Sequence, residues 1–167
     1  MFNKPIYKNP IILIILLISF SFDQISKILI SNFLLLGESI PDDGFFRITH
    51  IGNSGTIWGL LPEQTIALTI GSFLGIGLLY YLYYKIPSSS PLVSISIGLQ
   101  LGGALGNLID RIRLGYVVDF IDIGAWPIFN LADSCIVTGI VMLVFILICQ
   151  NTSEVSPSEE SQLNTIK

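Results

Sequence analysis

Charged side chains are scarce in this sequence. Lys, Arg, Asp and Glu make up 12% of its 167 residues, about half the roughly 25% usual in a soluble domain. That scarcity argues strongly for a membrane protein over an ordinary soluble fold. The 8 basic residues are scattered, so the positive face that nucleic acid binding needs is missing. Histidine occurs once, as His50, with no serine or cysteine nucleophile pattern around it. A packing or surface role is favoured for that ring over a catalytic one. Cysteine occurs twice, as Cys135 and Cys149. About four helical turns apart, roughly 21 Å, the two cannot pair within one straight helix. Their spacing fits no metal site, and they read as small apolar fillers. No metal and no cofactor are implied. The formal charge of −4 says little about partners, because Glu154, Glu159 and Glu160 lie in a polar tail.

Hydrocarbon is what the chain has in excess: 51% of residues are hydrophobic and the mean hydropathy is +0.75. Four stretches are long and apolar enough to cross a bilayer: residues 10–36, 65–84, 92–109 and 131–149. The first follows Lys4 and Lys8 and could pass for a signal peptide, but no small-x-small site follows and the apolar pattern resumes after Asp23. Within it Asp23 and Lys27 are i,i+4 in the favourable order. The spacing leaves two readings open, an interfacial ion pair or a brace for a site. The second stretch ends in YYLYYK, an aromatic belt with Lys85, and its Gly71 and Gly75 are spaced for close helix packing. The third carries Gly98, Gly102 and Gly106 on one face, and Gln100, Asn107 and Asp110 towards its end. The expected fold is membrane all-α: four transmembrane helices in one domain over residues 1–150, then a polar, disordered tail over 151–167.

Residues 37–63 differ in kind. GESIPDDG is turn-rich, with Asp42 and Asp43 as turn residues, and FFRITHIG alternates like a short strand. The segment is too short for a domain and too polar for lipid. It predicts a small β-rich flap on the membrane surface between helices 1 and 2, with Trp58, Leu60 and Leu61 as an interfacial anchor. Four spans place both termini on one side of the membrane. Lys4 and Lys8 flank the first helix, which often dominates orientation, so the termini are expected in the cytoplasm and the flap outside.

The acids are not spread evenly. Asp110, Asp119, Asp122 and Asp133 fall within residues 102–133, beside Asn107, Arg111, Arg113 and Asn130. Carboxylates at the edge of an apolar region are costly without a partner or a task. Asp119 follows two β-branched residues in YVVDF. Asp133 falls in the first turn of the fourth helix, where the N-terminus favours an anion and Asn130 is placed to cap. If Asp119 folds against Asp133, like charges about 4 Å apart repel by roughly 4 kcal/mol at an effective dielectric of 20. The two would share one proton. One carboxylate could then activate water while the other donates to a scissile carbonyl. The alternative is that these aspartates are caps and salt-bridge partners of Arg111 and Arg113.

The order DQISK, GNSGTIWG, GGALGNLIDR, VVDF, FNLAD resembles the lipoprotein signal peptidases (signal peptidase II), bacterial four-helix membrane aspartyl proteases. The resemblance implies that Asp119 and Asp133 are the catalytic pair. It implies that Asn107, Asp110 and Arg111 hold the site and the substrate, that Asn130 supports the pair, and that Asp23 and Lys27 match D-x-x-[ST]-K. Asn53 and Gly55 match the family's N-x-G. It further implies a substrate, a prolipoprotein whose lipobox cysteine already carries diacylglycerol, cut on the N-terminal side of that cysteine. The implied setting is the bacterial cytoplasmic (inner) membrane, with the site near its outer face, the bilayer's lipid around it and a monomer as the working unit. Where the family has small residues and Phe after N-x-G, this chain has Thr56, Ile57 and Trp58, which should reshape the flap's contact with substrate. The segment between Asp119 and Asp133 also looks short. Two other readings stand beside it. A transporter expects acids near helix centres, whereas these lie at helix ends and in loops. A catalytically dead scaffold expects a damaged pair, and both aspartates are present.

Overall fold

The computed structural model describes residues 5–55, 65–86 and 90–163, with side chains as far as Cys149. Four helices dominate it: α1 (Pro10–Phe33), α2 (Thr65–Lys85), α3 (Pro91–Leu114) and α4 (Leu131–Leu163). The segments Pro10–Phe33, Thr65–Lys85, Pro91–Leu114 and Leu131–Cys149 are each long and apolar enough to cross a membrane. Trp58, Leu60 and Leu61, and with them Thr56 and Ile57, lie outside the described residues.

Local chemistry sets the helix ends. α1 starts at Pro10 behind Asn9, whose side chain accepts from the Ile11 and Ile12 amides. It stops at Phe33, short of the expected 36, because Leu34 turns extended and its carbonyl is bonded by His50 Nδ1 at 2.9 Å. His50 is therefore a packing residue at 7% exposure. α3 runs to Leu114, beyond the expected 109. Its last polar residues are used inside the bundle rather than ending the helix, and Gly115, at φ +81°, supplies the left-handed stop. The backbone of α4 continues helical to Leu163, into the polar stretch assigned to the tail.

α3 is the central helix and packs along both α1 and α4. Its glycines explain how closely. A Cβ on Gly98 would press on Ile15 at 2.8 Å, one on Gly102 would collide with Ser19, and one on Gly103 with the Ala132 carbonyl. The Gly98–Gly102–Gly106 face is thus spent on α1. Gly71 and Gly75 behave otherwise. Nothing lies within 4 Å of a Cβ built on either, so the expectation of close packing there is corrected: α2 leaves open space along this side. At the far end of the bundle, Ile12, Val93, Ile97, Leu143 and Ile146 bury around Tyr83, whose hydroxyl accepts from Asn9 Nδ2 at 2.9 Å.

The flap is a three-stranded antiparallel sheet, β1 (Ser39–Ile40), β2 (Arg47–Asn53) and β3 (Val117–Asp122), in the order β1-β2-β3. β3 comes from the connection between α3 and α4, so the flap is completed by the strand that carries Asp119. Ile48 pairs with Ile121 and Ile51 with Asp119, which leaves one extra residue on β2, a β-bulge. The bulge breaks the expected alternation, and consecutive Thr49 and His50 are both buried.

Candidate active site

Where β3 meets the starts of α4 and the ends of α1 and α3, a buried polar network forms around three groups: Lys27, Asn130 and the aspartates. Lys27 has three donors and uses them at 2.9 Å each on Asp23 Oδ2, Asp110 Oδ2 and Asn107 Oδ1. It is 3% exposed and Asp23 is fully buried. The pair is thus buried inside the bundle. Gly106 makes the room, since a Cβ there would collide with Asp23 Oδ2.

Each acid braced by Lys27 reaches a different element. Asp23 Oδ1 accepts from the Ala132 amide at 2.9 Å, so α1 caps the first turn of α4. Asp110 Oδ2 accepts from the Val118 amide at 3.2 Å, which pins β3 to α3 one residue before Asp119. Asn107 and Asp110, at i,i+3 on α3, are joined through Lys27. Gln24, which the sequence reading missed, donates to Asp110 Oδ1 at 3.1 Å and Asp23 Oδ2 at 3.2 Å. The signal for it was available: an amide beside a buried acid in an otherwise apolar run.

Asn130 joins the two remaining aspartates and is fully buried. Its Nδ2 donates to Asp119 Oδ1 at 2.6 Å, its Oδ1 accepts from the Asp133 amide at 2.9 Å, and its own amide donates to Asp133 Oδ2 at 3.3 Å. The last two bonds make a reciprocal capping box at the start of α4. Asp133 Oδ1 accepts from Asn107 Nδ2 at 2.7 Å. Asp119 Oδ2 accepts from Asn53 Nδ2 at 2.8 Å. Asn53 is held in turn by a turn in which its Oδ1 accepts from the Gly55 amide at 2.9 Å, with Gly55 at φ +106°. Among the described residues every buried side-chain polar atom has a partner.

The ion pairs among the described residues are Lys27–Asp23, Lys27–Asp110 and Arg47–Asp122. Among the described residues neither Arg111 nor Arg113 makes an ion pair with Asp119 or Asp133, though Arg111 lies within electrostatic reach of both; of the alternative roles, capping is the one that Asp133 does fill. Asp122 is a structural acid. It accepts from Gly124, Arg47 and Thr49, and the Gly124 amide foremost holds it below the usual carboxylate range. Asp119 is the opposite case at 2% exposure. Burial pushes its pKa up to about 7, against the Asn53 hydrogen bond, with the charge of Asp133 adding to the rise and Asn130 and Lys27 opposing it.

Asp133 is only half-buried and opens onto a groove of about 560 Å³ between α2, α3 and α4. Asn107 and Arg111 line the same mouth, where Arg111 Nη1 donates to Ser72 Oγ at 3.4 Å. Farther along, the walls are Gly71, Gly75 and Leu79 on α2 and Ile136 and Ile140 on α4. The arrangement offers one carboxyl whose pKa is raised to about 7, a second aspartate bridged to it by Asn130, a guanidinium, and an apolar channel leading away.

Residues 14–149 match the family model described as Signal peptidase (SPase) II. A lipoprotein signal peptidase of Moorella thermoacetica is 43% identical over 140 residues, covering 83% of this chain and 93% of the relative. That of Pelotomaculum thermopropionicum is 40% identical over 151 residues, covering 90% and 95%. A bacterial membrane enzyme solved by the in meso method at 2.3 Å superposes with a TM-score of 0.79 at 32% identity, covering 94% of this chain and 97% of that one. A second, at 1.9 Å, gives 0.73 at 33% identity, covering 81% and 91%. A multi-pass membrane protein that carries this match over most of its length belongs to the lipoprotein signal peptidase family, the signal peptidase II group of aspartic peptidases.

Proposed function

We propose that Asp119 and Asp133 are the catalytic pair of this peptidase and that its substrates are prolipoproteins bearing a diacylglyceryl-modified lipobox cysteine, cut on the N-terminal side of that cysteine. The observation that carries the reading is Asn130, which bridges the two aspartates through its amide side chain and backbone. The pair shares one proton. Asp119, with its pKa near 7, holds it. Asp133 takes a proton from water, the hydroxide oxygen bonds to the scissile carbonyl carbon, and Asp119 gives its proton to the carbonyl oxygen. Collapse of the tetrahedral species returns that proton to Asp119, breaks the C–N bond, and the proton gained by Asp133 passes to the leaving amine. Asn107 and Asn53 fix the two carboxyls, Gly55 fixes Asn53, Arg111 faces the substrate, and Asp110, Asp23 and Lys27 hold the elements in register.

The groove beside Asp133 takes the apolar signal peptide from the bilayer. Residues 1–150 act as one membrane-embedded domain, in a single chain that supplies every group named above. Both termini face the cytoplasm, by the weight of Lys4 and Lys8, and the site lies near the outer face of the bacterial cytoplasmic membrane. The test is to offer the purified protein, in detergent, a diacylglyceryl-modified lipobox peptide and its unmodified twin, and to map the products by mass. Cleavage of the lipidated peptide alone, just before the cysteine, is expected. Equal cleavage of both peptides, or cleavage elsewhere, contradicts the substrate assignment.

A further inference from the structure

Among the described residues, one buried amide side chain in the membrane-spanning part is not used by the network around the aspartates. Gln100 lies on α3 at 4% exposure. It shares a helix face with Ala104, Asn107 and Arg111, and all four line the groove. From Asn107 it is about 10 Å deeper along the helix axis. Its Nε2 donates to the Ser96 carbonyl of its own helix at 3.2 Å. No described residue donates to its Oε1. Because no fully buried side-chain polar atom among the described residues lacks a partner, that oxygen is not fully enclosed, and the space that Gln100 lines is the groove.

A second feature of the packing is arranged around the same side chain. Gly139 of α4 closes on it, and a Cβ there would meet Gln100 Cγ at 2.6 Å. The same Cβ would meet the Ser96 carbonyl at 2.7 Å, so Gly139 lets α4 lie against the α3 backbone, over the stem of Gln100 and the carbonyl that its Nε2 bonds. An acceptor left unpaired in hydrocarbon-lined surroundings costs free energy that a donor on the occupant would remove. The opposite wall is Gly71 and Gly75, open to the channel, so a helix or extended chain can lie against Gln100 without α2 intervening.

We propose that Gln100 is a specificity-determining residue that reads a hydroxyl, from Ser or Thr, in the membrane-embedded part of the signal peptide, one to two helical turns from the scissile bond. The inference rests on the reading of the groove as the signal-peptide channel. In an apolar signal peptide, Ser and Thr offer a compact O–H donor of the kind Gln100 Oε1 lacks. The effect is on discrimination between substrates, since a site that pairs a buried hydroxyl disfavours the analogue without it.

The test uses full-length protein and a set of diacylglyceryl-modified lipobox peptides with an all-apolar hydrophobic segment. One Ser is moved through that segment against an Ala parent, and kcat/KM is measured for wild type, Gln100→Leu and Gln100→Met. Wild type is expected to prefer Ser at one position or two adjacent positions by about fivefold, the scale of one neutral hydrogen bond. Both variants are expected to lose that preference, whatever their absolute rates on the Ala parent. The ratio is taken within each variant, so a merely structural role for Gln100 would not move it. A Ser preference that survives both substitutions, or a flat profile in wild type, overturns the proposal. If wild type cleaves none of the lipidated peptides, the reading of the channel itself fails, and this inference with it.

Discussion

Asp119 and Asp133 are both carboxyls, and their surroundings set them apart. Asp119 is enclosed by β3 and Asn130 and retains its proton to about pH 7. Asp133 sits in the first turn of α4 facing the groove, with two N–H donors on its carboxylate. If Asp119 is the proton donor, raising pH through about 7 strips it, so kcat/KM should fall on the alkaline side. A profile still rising at pH 9 would contradict that role. Asn130→Ala should cost more than a lost cap, because it removes the hydrogen bond to Asp119 together with the cap on the Asp133 amide, while Asn107 and the residue 130 backbone N–H keep their bonds to the Asp133 carboxylate. A fall in kcat of about a hundredfold or more with KM little changed is expected, the pattern for a group acting at the transition state. A change confined to KM would count against it. That Asn107, Asn130 and the two aspartates belong to one site could be expected from five short motifs in the sequence, and the structure brings them into one hydrogen-bonded network. The contacts of Gln24 were marked only weakly, by an amide next to Asp23 in an apolar run, a signal without periodicity.

At the level of elements, the acids and the lysine act as ties. Asp23 links α1 to α4, Asp110 links α3 to β3, and Lys27 neutralises both. Removing Lys27 leaves two buried carboxylates without a cation, which costs about 3–5 kcal/mol. Lys27→Met should therefore lower the melting temperature sharply, read by thermal denaturation in detergent. A melting temperature equal to wild type would refute the brace. Asp23→Ala should mainly lower stability, because Lys27 keeps Asp110 and Asn107. A large loss of turnover with unchanged melting would show a more direct role. The four helices were legible because long apolar runs allow little else. The sheet was legible only in part. The alternation of FFRITHIG marked a strand, but the pairing of β2 with β3 joins residues some seventy apart, and the bulge at Thr49 and His50 has no signature in composition. The end of α3 was misplaced for a related reason: Asp110 and Arg111 look like a helix terminus, yet the first is consumed inside the fold.

Across the whole molecule, the division of glycines separates scaffold from channel. Those on α3 bring α1 and α4 close, while Gly71 and Gly75 on α2 keep a groove open beside Asp133. The sequence showed glycines at helical spacing in both helices and could not say which met a neighbour. Gly75→Leu should leave melting within a few degrees of wild type, because nothing lies near its Cβ, and should lower kcat/KM for lipidated peptide by narrowing the channel. Full activity in that variant would mean the substrate takes another route. The central claim is the pairing of Asp119 with Asp133, and the most direct measurement compares Asp119→Asn and Asp133→Asn with wild type in cleavage of a diacylglyceryl-modified lipobox peptide. Binding and melting are recorded on the same samples. Both variants should stay folded, bind the peptide and lose turnover on the order of 10⁴-fold, the scale for removing one member of a catalytic unit. Near-normal turnover in either would contradict the assignment.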